Sequence, residues 1–253
     1  MKALITGASS GLGEQFALKL SDMGYDIIIT ARREDKLEQL AKKIKTNVMV
    51  IKADLSKEEE VISLYNQVKD QNIDILINNA GFGMCGYFDS YPDTTDKEMI
   101  NVNITALCLL TKLFYRDFLK KDKGYILNVA SVAGFMPGPL MAQYYATKAY
   151  VLNFTRALYK EAKMKKSNVY FSVLCPGPVD TEFNKRAKVK FALPGAKSDR
   201  VVKYALTKMF KRKLTILPQT RIKLAVLGMS FMPSKVIMAV TSRVQKSKIV
   251  KDS

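Results

Sequence analysis

The feature that most limits what this chain can become is an alternation of two hydrophobic patterns. Short apolar runs that read as strands cover Ala3–Thr6, Tyr25–Thr30, Asn47–Lys52, Ile73–Asn78, Gly124–Ala130, Val169–Leu174 and Leu214–Leu217. Stretches of helical period lie between them, near 12–23, 34–45, 56–71, 96–121, 143–166 and 198–211; in the first, Leu12, Phe16, Leu20 and Met23 form one stripe. Strands alternating with helices imply a parallel sheet covered on both faces. Right-handed crossovers then give a doubly wound α/β arrangement whose ligands sit at the carboxyl ends of the strands. No repeat, low-complexity tract or linker breaks the pattern, so residues 1–253 are expected to form a single domain with a sizeable core.

The chemistry-bearing motifs all fall at those strand ends. Thr6-Gly7-Ala8-Ser9-Ser10-Gly11-Leu12-Gly13 follows the first strand and opens the first helix. Glycines at such a turn let backbone approach a pyrophosphate, and the helix N-terminus offers free N–H groups to the anion. The spacing is G-x-x-x-G-x-G rather than G-x-G-x-x-G. Asn78-Asn79-Ala80-Gly81 follows the fourth strand and Pro176-Gly177-Pro178-Val179-Asp180-Thr181 the sixth. Ser131 ends the fifth strand, and Tyr144 and Lys148 lie one helical turn apart, so both face one way. An ammonium beside a phenol favours the phenolate and is expected to lower a pKa that is ordinarily about 10. Tyr144 is therefore a candidate general acid/base, and Ser131 can offer a hydroxyl to the same reacting oxygen. Tyr145 is a competing phenol, but only Tyr144 stands four residues before Lys148.

In this order and spacing, including the thirteen-residue step from Ser131 to Tyr144, the motifs resemble those of the short-chain dehydrogenase/reductase family, in its compact branch of about 250 residues. The resemblance covers nearly all of residues 1–215. It implies a Rossmann-like sheet and NADP(H)-dependent interconversion of a ketone and a secondary alcohol. By resemblance, Gly7, Ser9, Ser10, Gly11, Leu12 and Gly13 hold the pyrophosphate. Asp54, with Leu55, receives the adenine amino group, and Asn79, Ala80 and Gly81 place backbone against the adenine side. Pro176, Gly177, Val179 and Thr181 lie along the nicotinamide, with Thr181 at its carboxamide. Tyr144, Ser131, Lys148 and Asn103 form the catalytic set, Lys148 also holding the nicotinamide ribose and Asn103 a water linked to Lys148. The second strand ends in Arg32-Arg33, where an acidic residue would bond the ribose diol of NAD. A guanidinium there pairs with a 2′-phosphate, and in the resembling family this placement marks NADP preference. The family commonly forms dimers or tetramers through the helices near 96–121 and 143–166. Its variable substrate lid corresponds to 182–197, which carries Phe183, Phe191, Leu193, Lys185, Arg186, Lys188 and Lys190. An apolar substrate with an anionic group, such as a 3-oxoacyl thioester, a steroid conjugate or a 3-hydroxy acid, would suit that mixture. The reading from another class is a non-catalytic dinucleotide-sensing or membrane-peripheral protein, which need not retain the whole Ser–Tyr–Lys–Asn set.

Composition narrows the rest. There is no histidine, so His-based catalysis and His-ligated metal are excluded. Cys85, Cys108 and Cys175 are scattered without metal-ligand spacing, as in a reducing compartment. The first strand begins by Lys2 or Ala3, which leaves no room for a signal peptide and suggests a cytoplasmic protein. The net charge of +18 is uneven: residues 1–159 hold 19 basic and 18 acidic side chains, residues 160–253 hold 22 and 5. No nucleic-acid recognition motif accompanies that charge. Ile222–Met232 is apolar but stops at Pro233, short of the roughly 20 residues a spanning helix needs. Past Pro233, within the basic extension of about 219–253, Val236, Ile237, Val240 and Val244 share one helical face and Lys235, Ser242, Arg243 and Lys246 another. The apolar face is expected to pack on the substrate side of the fold; the alternative is contact with a membrane surface.

Overall fold

The computed structural model describes residues 1–187, 189, 195–229 and 231–247. The strands are β1 (Lys2–Thr6), β2 (Asp26–Ala31), β3 (Val48–Lys52), β4 (Ile75–Asn78), β5 (Gly124–Val129), β6 (Val169–Leu174) and β7 (Thr215–Ile216). All are parallel and lie in the order β3-β2-β1-β4-β5-β6-β7. Alternate residues feed opposite layers. Ile5 of β1 and Ile29 of β2 pack with Phe16 and Leu20 of α1 (Gly11–Asp22), Leu37 of α2 (Glu34–Ala41) and, late in the chain, Val202 of the helix Ser198–Phe210. Leu4 and Ile28 face the other layer, with Leu64 of α3 (Glu58–Val68) and Phe114 and Phe118 of a helix after β4. Each fully buried side chain of this size contributes about 1.5–3 kcal/mol, so the doubly apolar strands fix a sheet covered on both faces. The chain winds one way from β1 to β3 and the other way from β4 to β7, which puts the switch point between the ends of β1 and β4.

The single long helix expected near 96–121 is instead three pieces: α4 (Asp93–Ile100), a π-helical turn (Asn101–Ala106) and α5 (Leu107–Lys120). The widened turn turns Asn103 inward, where its amide is held by Phe82 and Thr147. Below the switch point runs a buried polar ladder: Asn78 Nδ2 donates to Thr111 Oγ1 and Asn128 Oδ1, and Asn128 Nδ2 donates to Thr155 Oγ1, at 2.9–3.0 Å. It ties α5, β4, β5 and the long helix α6 (Ala142–Met164) together beneath the site.

Beyond β6 come α7 (Phe183–Arg186), α8 (Ser198–Phe210), α9 (Thr220–Met229) and α10 (Ser234–Lys246). No described helix is long and apolar enough to cross a membrane. The helix α10 forms where its pattern predicts, and Val240 and Val244 of its apolar stripe line the substrate side of the cleft, but the stripe is only partly covered. Val236, Val240 and Val244 are about half exposed, whereas Thr241 and Gln245 are the buried pair. Thr241 satisfies its hydroxyl within the helix, donating to Ile237 O, and Gln245 reaches a phenol inside the fold. These two side chains hold the inner face of the helix, with Val240 and Val244 at the edge of the cleft.

Candidate active site

The glycine-rich turn is built by close approach. Gly7 and Gly11 have φ of +65° and +62°, and a Cβ on Gly13 would lie 2.3 Å from the Gly7 carbonyl oxygen. Asn79 braces the turn, donating from Nδ2 to the carbonyls of Thr6 (2.9 Å) and Gly7 (3.1 Å), while Thr6 Oγ1 accepts from the backbone N–H of Asn79 and Ala80. No side chain caps the start of α1, so its free N–H groups and the helix dipole face the cleft. This is the geometry a pyrophosphate requires. Arg33 donates to Ser9 Oγ and Ser10 Oγ at 3.1 Å and pairs with Glu182 at 2.8 Å. That pair is about half exposed on each side, worth roughly 0–1 kcal/mol, so Arg33 can exchange Glu182 for a phosphate. Asp54 Oδ1 accepts from the Ser56 N–H and hydroxyl. Burial raises the Asp54 pKa, but those bonds and the charges of Arg32 and Lys57 outweigh it and hold the carboxyl below its usual value. Arg32, Leu55 and Ala80 line the same end.

At the other end Tyr144, Ser131 and Lys148 converge. Ser131 stands close enough to the Tyr144 phenol to favour its ionised form. Ser131 Oγ accepts from Ala133 N–H at 3.1 Å, capping the short 3₁₀ turn Val132–Phe135, and lies 3.5 Å from the Pro176 carbonyl. Lys148 Nζ sits 5.8 Å from the Tyr144 ring centroid and donates to the Val129 carbonyl at 2.9 Å. The expected lowering of the Tyr144 pKa is overturned here: burial pushes the phenol up against the opposing effect of Ser131, while Lys148 directs one of its N–H groups to the Val129 carbonyl. The ammonium is itself buried, which depresses it to about 8. Asn103 Oδ1 accepts from Phe82 N–H, and its Nδ2 donates to the Phe82 carbonyl and Thr147 Oγ1. Gly81 makes this possible: a Cβ there would lie 2.9 Å from Asn103 Oδ1 and 3.3 Å from Lys148 Nζ.

One continuous cleft of about 810 Å³ joins the two ends. Among the predicted site residues, Asn103 and Gly13 support it from behind, and all the others line it, including Gly177, Val179 and Thr181. The substrate half is walled by Met141, Tyr145, Phe183, Val189, Val226 and Val244. The lid segment is fastened back onto its origin, Ala196 N–H donating to Pro178 O and Asp180 N–H to Ala196 O. Lys188, Lys190, Phe191 and Leu193, together with the side chains of Lys185 and Arg186, lie outside the described residues.

Comparison with known proteins decides the family. The family model described as short chain dehydrogenase matches residues 1–190. The chain belongs to the short-chain dehydrogenase/reductase family. One relative is a very-long-chain 3-oxoacyl-CoA reductase of Anas platyrhynchos, 35% identical over 205 residues, which are 76% of this chain and 64% of that protein. The chain thus spans somewhat under two thirds of that relative's length. A short-chain dehydrogenase of Sphingobium yanoikuyae, solved in complex with NADPH, superposes with a TM-score of 0.81 at 31% identity, covering 92% of this chain and 96% of that one. A Burkholderia phymatum family member in complex with NAD gives a TM-score of 0.82 at 24% identity, covering 89% and 91%, a likeness of fold alone.

Three contributions of this short-chain dehydrogenase to its site were not read from sequence. Gln219 clamps the Pro-Gly-Pro turn, accepting from Gly177 N–H at 2.9 Å and donating to Pro178 O at 3.2 Å. Ile222 of α9 packs where a Cβ on Gly177 would be, 3.0 Å away. Gln245 of α10 reaches Tyr145. No local motif marks them; each depends on how the last two helices fold back over the cleft.

Proposed function

We propose that the protein is a cytoplasmic NADP(H)-dependent carbonyl reductase for a largely apolar ketone, or in reverse a dehydrogenase of the matching secondary alcohol. The observation that carries this reading is the convergence of Tyr144, Ser131 and Lys148, with Tyr144 and Lys148 one helical turn apart, on the wall of the cleft that begins at the glycine cradle. The cradle fits a dinucleotide, with Gly7 to Gly13 at the pyrophosphate and Arg32 or Arg33 at a 2′-phosphate. Asp54 and Leu55 suit the adenine end, Asn79 to Gly81 the middle, and Pro176 to Thr181 the nicotinamide end. When bound, the dinucleotide supplies the hydride. The chain's own residues position and protonate. Burial keeps Tyr144 protonated at neutral pH, so its O–H can pass a proton to the carbonyl oxygen as negative charge develops. Ser131 Oγ already accepts from Ala133 N–H. Its contact with Pro176 O is long, so its proton can turn towards the oxygen that reacts beside Tyr144 and stabilise it. Lys148, charged below about pH 8, adds a positive field. Asn103 positions Phe82 and, through Thr147, the helix that carries Tyr144 and Lys148. A sensor would need none of this convergence on one oxygen position. The test is a panel of simple ketones with NADPH and with NADH: the wild type should oxidise NADPH faster, and equal use of both cofactors removes the NADP assignment.

A second property has its own support. Leu224, Phe231 and Val240 are 64%, 83% and 54% exposed on and between α9 and α10. Arg221, Lys223, Lys235, Arg243 and Lys246 are exposed on the same helices, which carry no acidic residue. Apolar area with flanking cations suits reversible contact with an anionic membrane surface. Assembly as a homodimer or homotetramer is proposed through α5 and α6, where Tyr150 is exposed and stacked on Phe154 at 5.4 Å.

A further inference from the structure

The substrate half of the cleft holds one polar feature that proton transfer does not use. Gln245 is 1% exposed, lines the cleft from α10, and its Nε2 donates to the hydroxyl of Tyr145. Its Oε1 is buried and meets no donor among the described residues. A buried amide oxygen without a partner is costly, and native structures rarely keep one without a use. Tyr145, accepting from the amide, keeps its own phenolic proton, and burial pushes its pKa up, so it remains a donor. The pair therefore offers the Tyr145 proton to the cleft and, behind it, an amide oxygen that is closed off in the free protein and comes within reach as the Gln245 side chain turns. Around them the wall is apolar: Met141, Phe183, Val226, Val240 and Val244. The charged side chains on the cleft wall (Arg32, Arg33, Asp54, Lys148 and Glu182) belong to the dinucleotide end and the catalytic set. Were the amide turned over, Oε1 would take the Tyr145 proton and Nε2 would be the group left without a partner, so one unmet hydrogen-bonding position persists either way.

We infer that Gln245 and Tyr145 form a subsite for a neutral hydroxyl carried by the substrate, set apart from the reacting carbonyl. A hydroxyl is both donor and acceptor, so a single group can give its proton to Gln245 Oε1 and receive one from Tyr145. A carboxylate matches only half of the pair and brings an unpaired charge into an apolar wall. The rings of Tyr144 and Tyr145 are 6.1 Å apart, centroid to centroid, and steeply inclined to each other, so the hydroxyl lies apart from the carbonyl bound at Tyr144, at a spacing that the chain-length series measures. The substrate class is thus a hydroxyketone, or in the reverse direction a diol. This rests on the reductase reading, and it deepens it.

The experiment uses alkan-2-ones of rising chain length and their ω-hydroxy counterparts as substrates, with the corresponding alkan-2-ols and diols, which NADPH cannot reduce, as binding probes. Affinity is read by calorimetric titration of the NADPH-loaded protein and turnover by NADPH oxidation. The diol should bind about tenfold tighter than the plain alcohol at one chain length, as one satisfied hydrogen-bonding group allows, and the hydroxyketone should show the same gain in KM. Gln245→Met, close in shape but apolar, should erase the preference, read as the ratio of diol to plain alcohol within the variant so that any general change in rate or affinity cancels. Gln245→Glu, which keeps an acceptor, should retain part of it. If the diol advantage is absent at every length, or survives Gln245→Met in a protein with unchanged thermal unfolding, the subsite is overturned whether or not ketones are reduced. If the advantage is present and Gln245-dependent but no ketone is reduced, the subsite stands and the reductase reading fails.

Discussion

Replacing Lys148 with methionine should stabilise the protein while destroying its activity. Lys148 is 5% exposed, and burial depresses its pKa from 10.5 to about 8. That difference is equivalent to roughly 3 kcal/mol. Because the folded-state pKa lies below the unfolded one, the penalty is fully present below about pH 8, where both states are protonated. Between about pH 8 and the unfolded value, the folded state has lost a proton that the unfolded state keeps, so wild-type stability rises with pH across that window. Methionine removes the penalty but also the 2.9 Å bond to the Val129 carbonyl, a loss of about 1 kcal/mol. The net gain for Lys148→Met without cofactor is about 2 kcal/mol at about pH 7, shrinking towards zero or below near pH 10. Urea denaturation at both pH values measures it directly. A variant less stable than wild type at neutral pH, or a difference that does not change with pH, would refute the reasoning.

Other consequences are as specific. Gly13→Ala puts a Cβ 2.3 Å from the Gly7 carbonyl oxygen, and the forced shift, costing about 1–3 kcal/mol, should weaken dinucleotide binding at least severalfold in a fluorescence titration; unchanged affinity would show that the turn is not the cradle. Arg32→Ala should lower NADPH affinity about 10–150-fold, the value of a bond to a charged group, with little effect on NADH; if only Arg33→Ala does so, the phosphate contact belongs to Arg33. Liposome cosedimentation should show binding that needs anionic lipid, falls with salt, and weakens when Lys235, Arg243 and Lys246 become Glu; protein left in the supernatant with anionic lipid at low salt ends the membrane proposal.

What was legible in the sequence was whatever depends on local pattern. The strand runs and the glycine spacing placed the sheet and put the ligand side at the carboxyl ends of the strands because apolar runs and strand-end turns act within a few residues of themselves. Asn103 was placed in the middle of a helix, but not in a π turn, since the widening answers to Phe82 and Thr147, which are distant in sequence. Gly81 was read as backbone room for a ligand, whereas the space it leaves is filled by Asn103 Oδ1 and Lys148 Nζ. The Tyr144 pKa was misjudged because a four-residue spacing sets direction along a helix, not depth: burial of both groups outweighed their proximity. The depth of α10 was misjudged for a related reason: its valine stripe meets the cleft at the edge and stays about half exposed. A helical wheel counts apolar area, but the helix docks by the polar side chain of Gln245, whose partner lies 100 residues earlier.

Isotope transfer gives the most direct test of the central claim. NADPH carrying deuterium at the transferable position of its nicotinamide is mixed with a ketone the enzyme accepts, and the product alcohol is analysed by mass spectrometry. The wild type should place one deuterium on the former carbonyl carbon. Tyr144→Phe should bind NADPH with nearly wild-type affinity and form less than about a tenth of the product, since the substitution removes one transferable proton and little packing area. Unlabelled alcohol from the wild type, or labelled alcohol formed by Tyr144→Phe at close to the wild-type rate, would contradict the assignment of this cleft.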